Sequence, residues 1–153
     1  MTRYVFCVSF ILIGALLLQG CTQPGGQDSE VSADERQAIM DLLRANIEAA
    51  ESEDLNAFMH TLHPESPAFD STRRLMKKTF EKYDLSYKLV EANVEETSQD
   101  VARVSFTQIT RKESGPEGIK DNQVKGEHIL KKSDGKWKIY NTKAGQYNEL
   151  KSE

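Results

Sequence analysis

The chain has 153 residues, of which 29% are charged and 38% hydrophobic, and its net charge at neutral pH is −4. That length suits one domain around one core. Its lysines and arginines are scattered among carboxylates with no basic face, which excludes a nucleic-acid partner.

Residues Tyr4 to Leu18 (YVFCVSFILIGALLL) carry no charge and follow Arg3. A positive start, an apolar stretch of about 7–15 residues and a small residue before the cut define a secretory signal. As a helix, about fifteen residues at ~1.5 Å each reach only ~22 Å. A spanning helix must cross ~30 Å of hydrocarbon. Leu17-Leu18-Gln19-Gly20-Cys21 resembles a bacterial lipobox, with Leu18 three places before the cut and Gly20 immediately before it. The resemblance implies cleavage after Gly20, a diacylglyceryl thioether on Cys21 and a palmitate-type acyl chain on the new N-terminus. Two or more chains anchor a protein stably to a membrane. Thr22 stands where Asp would direct inner-membrane retention. The expected location is thus the periplasmic face of the outer membrane in a Gram-negative source. In a Gram-positive source it is the outer face of the plasma membrane.

The two cysteines are Cys7, which leaves with the leader, and Cys21, which becomes the anchor. On that reading the mature chain has no thiol for a disulfide, a nucleophile or a metal. Arg3 is the leader's one charge, so its removal leaves the mature chain slightly more acidic. The expected organisation is a signal peptide over 1–20 and a lipidated Cys with a flexible tether over 21–33. A folded domain follows over 34–147, then a polar tail over 148–153. The segment TQPGGQDSEV (Thr22 to Val31) lacks the apolar residues to bury a core.

Ser32 and Glu35 form an S-x-x-E capping box at the start of the first helix. Ile39, Leu42, Leu43, Ile47 and Ala50 then give it one apolar stripe. Asp54 or Ser52 caps a short second helix carrying Leu55, Phe58, Met59 and Leu62, and Pro64 stops it. Ser66-Pro67 predicts the cap and first position of a third helix. Phe69, Thr72, Met76, Phe80 and Tyr83 line one face of it.

From Asp84 the period changes to two. Leu85, Tyr87 and Leu89 alternate, and Val90, Ala92 and Val94 continue in the opposite phase, which predicts a bulge or bend at Leu89-Val90. Ala102, Val104 and Phe106 mark a second strand. Val124, Gly126, His128 and Leu130 share one face of a third. Asp134-Gly135 is a two-residue hairpin signal leading into a fourth strand, Lys136 to Asn141, with Trp137 and Ile139 on one face. After Gly145 the chain is expected to fray. Three helices followed by antiparallel strands define an α+β domain, with the helices packed on one face of a curved sheet.

The order of elements over Asp34 to Asn141 resembles the nuclear transport factor 2-like superfamily. Its cone-shaped fold includes SnoaL-like proteins, ketosteroid isomerase and scytalone dehydratase. The resemblance rests on DLNAFMHTLHP, similar to the helix that ends at the pocket rim, and on GEHILKKSDGKWKIYN, similar to the last two strands. It implies a homodimer paired through the sheet and an apolar pocket between helices and sheet. One fold hosts many activities. Ketosteroid isomerase uses an Asp base with a Tyr and a protonated Asp as oxyanion donors. Asp84 and Tyr87 lie near the first strand without that set's spacing.

The candidate chemistry is therefore sparse. His128, the one ionisable group on the inner face of its strand, is the candidate pocket acid or base, with Tyr87, Asp84 and Tyr140 as candidate partners. His60 and His63 share the end of the second helix. They are weak metal candidates, because a site needs three or four ligands. No metal and no cofactor is expected. The favoured expectation is a membrane-anchored, non-catalytic domain that binds a small apolar ligand or another envelope protein. The alternatives are a small dehydratase or isomerase acting through His128, and a structural accessory subunit of an envelope complex.

Overall fold

The computed structural model describes residues 31–151, and the leader, Cys21 and most of the tether lie outside them. Three helices, α1 (Ala33–Glu51), α2 (Leu55–His60) and α3 (Phe69–Phe80), precede four strands. These are β1 (Asp84–Thr97), β2 (Val101–Ser114), β3 (Asn122–Ser133) and β4 (Lys136–Glu149). The strands form one antiparallel meander in the order β1-β2-β3-β4. This is the expected α+β architecture. Among the described residues no helix is long and apolar enough to cross a membrane.

Ser32 caps α1, its Oγ accepting from the Glu35 N–H at 3.2 Å. The Glu35 carboxylate reaches across to Lys132 Nζ at 3.1 Å. Glu53 turns the chain with φ +56°, and Asp54 then caps α2 by accepting from the Ala57 N–H at 2.9 Å. The third helix departs from the sequence reading. Ser66 accepts the Phe69 N–H on its carbonyl and the Ala68 N–H on its Oγ, which makes a turn. α3 therefore starts at Phe69 with Ala68 at its N-cap position and no side-chain cap. The Ser66-Pro67 start is corrected to a turn that precedes the helix.

The bulge expected at Leu89-Val90 is present: the register with β2 shifts between Leu89 and Glu91, leaving Val90 unpaired and exposed. Two further bulges lie in β4, where Leu130 faces Ile139 but Ile129 faces Asn141, and Gly126 faces Ala144 but Lys125 faces Gln146. The bulged residues are Tyr140 and Gly145. The second one realigns the strand, so Tyr147 to Glu149 pair with Val124 to Asn122. The chain thus stays ordered beyond Gly145, where fraying was expected. Lys120 holds Glu149 at 2.7 Å, and the Leu150 N–H bonds the Asp121 carbonyl at 2.8 Å.

The core joins Ile39 and Leu43 of α1 and Phe58 and Met59 of α2 to Val104, Leu130, Trp137 and Ile139 of the sheet. α3 contributes no fully buried residue. Its Phe80 meets Phe58 edge-on, with centroids 6.3 Å apart. The segment after α2 is tied to the sheet by backbone: Ile139 donates to the Thr61 carbonyl and His63 donates to the Ile139 carbonyl, both at 2.9 Å. That strap covers the β4 edge at this height and closes one end of the space between helices and sheet.

Candidate functional site

Two concavities flank this strap. The inner one is a cavity of about 190 Å³ between α2, α3 and the inner face of β3 and β4. Phe58, Leu62 and Ile139 supply its apolar wall, while Asn46, Asn141 and Thr142 supply polar atoms. His128 lines it from β3 and Tyr140 from the β4 bulge. No carboxylate, lysine or arginine lines it.

His128 is held on two sides. Its ring lies flat on Phe106, centroids 4.2 Å apart and 12° from parallel, and its Nδ1 is 2.9 Å from Thr142 Oγ1 on the facing strand. Gly126 makes room for that stack. A Cβ there would stand 2.5 Å from the Lys143 carbonyl oxygen and 3.0 Å from the Phe106 ring. Burial disfavours the imidazolium and pushes the His128 pKa down to about 4. The ring is therefore neutral at pH 7, able to donate one hydrogen bond and accept another, and a weak base.

The other candidates are dispersed. Tyr140 shares the cavity with His128, but its ring is also covered by Lys131 Nζ at 3.5 Å and met edge-on by His63 at 5.5 Å. Tyr87 pairs with Thr110 near the other end of β1, away from the cavity. Burial first, then Glu53 and Glu51, raise its pKa to about 12, so it remains a phenol. Its backbone N–H donates to Glu51 Oε1 at 3.1 Å. Asp84 is exposed at the start of β1, opposite Ser114. The two helix-end histidines part company. His60 is exposed, whereas His63 is buried with its Nδ1 accepting the Glu65 N–H at 3.1 Å. Among the described residues no cluster of three or more metal-ligating side chains is formed.

The outer concavity is larger and was not foreseen. It is an open groove of about 710 Å³ between α1, α2 and the β3–β4 hairpin. Ala38, Leu42, Ala45, Ala57 and Trp137 form its floor. Asp34, Glu35 and Asp41 stand on the α1 wall, and Lys132, Lys136 and Lys138 on the hairpin wall. Ala38, Leu42 and Ala45 recur at i, i+4, i+7, and Leu42, expected in the core stripe, is half-buried and lines this groove. That spacing was the available signal.

The fold places the chain among NTF2-like α+β domains. An NTF2-like protein from Cytophaga hutchinsonii superposes with a TM-score of 0.62 at 18% identity, over 72% of this chain and 96% of the other. A protein of unknown function with a cystatin-like fold from Nostoc punctiforme gives 0.61 at 13% identity, over 75% and 92%. Within that class, residues 41–150 match the family described as anti-sigma-I factor RsgI9, C-terminal domain, and the chain belongs to that family. The anti-sigma-I factor RsgI9 of Acetivibrio thermocellus is 37% identical over 93 residues, 61% of this chain. The match spans only 13% of that protein's length.

Proposed function

We propose that this chain is a lipid-anchored envelope protein whose NTF2-like domain binds an apolar ligand or an envelope partner and performs no catalysis. The observation that carries the reading is the composition of the inner cavity. It is small, about 190 Å³, and its only histidine is neutral with no carboxylate beside it. Acid–base turnover needs a group whose pKa lies near the working pH. His128 at about 4 is far from it. Family membership supports a binding module, because the same domain forms the C-terminal part of a much longer relative. The lipobox at Cys21 supplies the anchor, and the expected dimer pairs through the sheet.

Two measurements test this reading. The mass of the N-terminal peptide of the mature protein reports acylation, and Cys21→Ser is expected to abolish it and release the protein from membranes. Assays of the wild type over dehydratable and isomerisable substrates are expected to show no turnover that His128→Ala removes. An unmodified Cys21 overturns the anchor, and His128-dependent turnover overturns the non-catalytic assignment.

A further inference from the structure

The groove between α1, α2 and the β3–β4 hairpin lies outside the space enclosed by helices and sheet, and nothing in the inner-cavity chemistry uses it. We propose that it is a docking site for the headgroup and first methylenes of a zwitterionic phospholipid, phosphatidylethanolamine being the type. The inference rests on the membrane-anchor reading above.

Three observations meet there. First, size and floor: about 710 Å³ lies within the usual range of ligand sites, roughly 300–1,000 Å³. Its base is the apolar strip Ala38, Leu42, Ala45 and Trp137. Second, the charges are divided by sign, acidic on α1 and basic on the hairpin. Most are already engaged. Glu35 pairs with Lys132 at 3.1 Å, Asp41 binds Arg44 at 2.7 Å and Gln37 at 2.8 Å, and Lys138 donates to the His60 carbonyl. Among the described residues, Asp34 on the α1 wall and Lys136 and Lys138 on the hairpin wall make no ion pair, and of the three only Lys138 is held, by the His60 carbonyl. An unpaired carboxylate from α1 and an unpaired ammonium from the hairpin, both lining the groove, complement a ligand carrying both an ammonium and a phosphate. A purely anionic headgroup would leave Asp34 repelling it.

Third, position: Asp34 is in the first turn of α1, at the end where the tether enters. The ten residues from Thr22 to Val31 span at most about 35 Å. A chain anchored at Cys21 therefore holds this end of the domain within reach of the lipid surface. The first methylenes of the docked lipid would lie along Ala38, Leu42 and Ala45, beside the Trp137 ring that Lys132 covers at 4.7 Å, with the headgroup towards Asp34 and Lys136.

Trp137 is the chain's single tryptophan, so its emission reports the groove directly. The test uses the mature chain carrying Cys21→Ser, titrated with three probes. They are dihexanoyl phosphatidylethanolamine, dihexanoyl phosphatidylglycerol and glycerophosphoethanolamine, which lacks acyl chains. A saturable emission change is expected with the first, at lower concentration than with either of the others. Lys136→Glu and Asp34→Lys, both at exposed positions, should each weaken phosphatidylethanolamine binding by at least about threefold. Asp34→Lys should also bring phosphatidylglycerol level with it. An equal response to all three probes overturns the proposal. So does a silent Trp137. Acylation of the wild-type Cys21 with a silent groove in the Cys21→Ser chain overturns this site alone, and a responsive groove with the wild-type Cys21 found unacylated overturns the anchor alone.

Discussion

The His128 imidazole lies parallel to the Phe106 ring at 4.2 Å, and the two residues belong to adjacent strands. The stack places a titratable ring in an apolar seat and explains why its protonation is disfavoured. Because the folded-state pKa is about 4 against an ordinary 6.5, the neutral form is the one the fold favours. The stabilisation is present above pH 6.5 and is lost as pH falls from 6.5 towards 4, where the unfolded chain takes up a proton and the folded one does not. The loss amounts to about 3 kcal/mol. Denaturation midpoints between pH 7 and 4 should fall accordingly, and His128→Gln should flatten that slope. An NMR titration of the imidazole with a midpoint near 6.5 would contradict the burial.

Gly126 answers to the same stack. Gly126→Ala puts a Cβ against backbone at 2.5 Å and against Phe106 at 3.0 Å, and the backbone oxygen of Lys143 cannot swing aside as a side chain would. A loss of about 1–3 kcal/mol is expected in urea melts. Gly135 differs: a Cβ there meets nothing within 4 Å, but its φ of +73° strains any other residue. Gly135→Ala should cost only about 1 kcal/mol.

Leu130 is fully buried between β2 and β4 and belongs to the central cluster. Leu130→Ala should destabilise the fold by about 2–5 kcal/mol, read as a shifted denaturation midpoint at unchanged slope. Leu75, 62% exposed on α3, should tolerate Leu75→Ala within about 0.5 kcal/mol.

Truncation after Gly145 tests the length of β4. It removes the pairing of Gln146 to Glu149 with Lys125 to Asn122, and the Lys120–Glu149 contact with it. A lowered thermal midpoint and loss of amide protection at Gln123 and Lys125 are expected. A frayed tail would leave both unchanged.

Local signals carried much of this fold. The Ser32 and Asp54 caps and the Asp134-Gly135 turn are short-range chemistry, and each is where the sequence put it, whereas the stripes hold only in part: Ile39, Leu43 and Ala50 are buried, but Leu42 and Ile47 are not, and Tyr83 lies beyond α3. The Leu89-Val90 bulge was legible because a phase change in a period-two pattern has few other physical causes. Ser66 misled because a hydroxyl two residues before a free N–H can close a turn as readily as cap a helix. The extension of β4 was hidden because its residues are polar and its partner, Asn122 to Lys125, is more than twenty residues upstream.

The site divides along the same line. The sequence by itself determined the α+β class and singled out His128 as the ionisable group on an apolar strand face. It also supplied the Cys21 motif from which the anchor is proposed. Tertiary structure alone decided that His128 sits on Phe106 with no carboxylate near it, and that Tyr87 and Asp84 lie elsewhere. It also decided that the larger concavity lies between α1 and the final hairpin. Periodicity and capping act over a few residues and leave their mark in order along the chain. The His128 pKa depends on Phe106, 22 residues upstream on the adjacent strand, and the groove joins Asp34 to Lys136 across about a hundred residues, which only packing brings together.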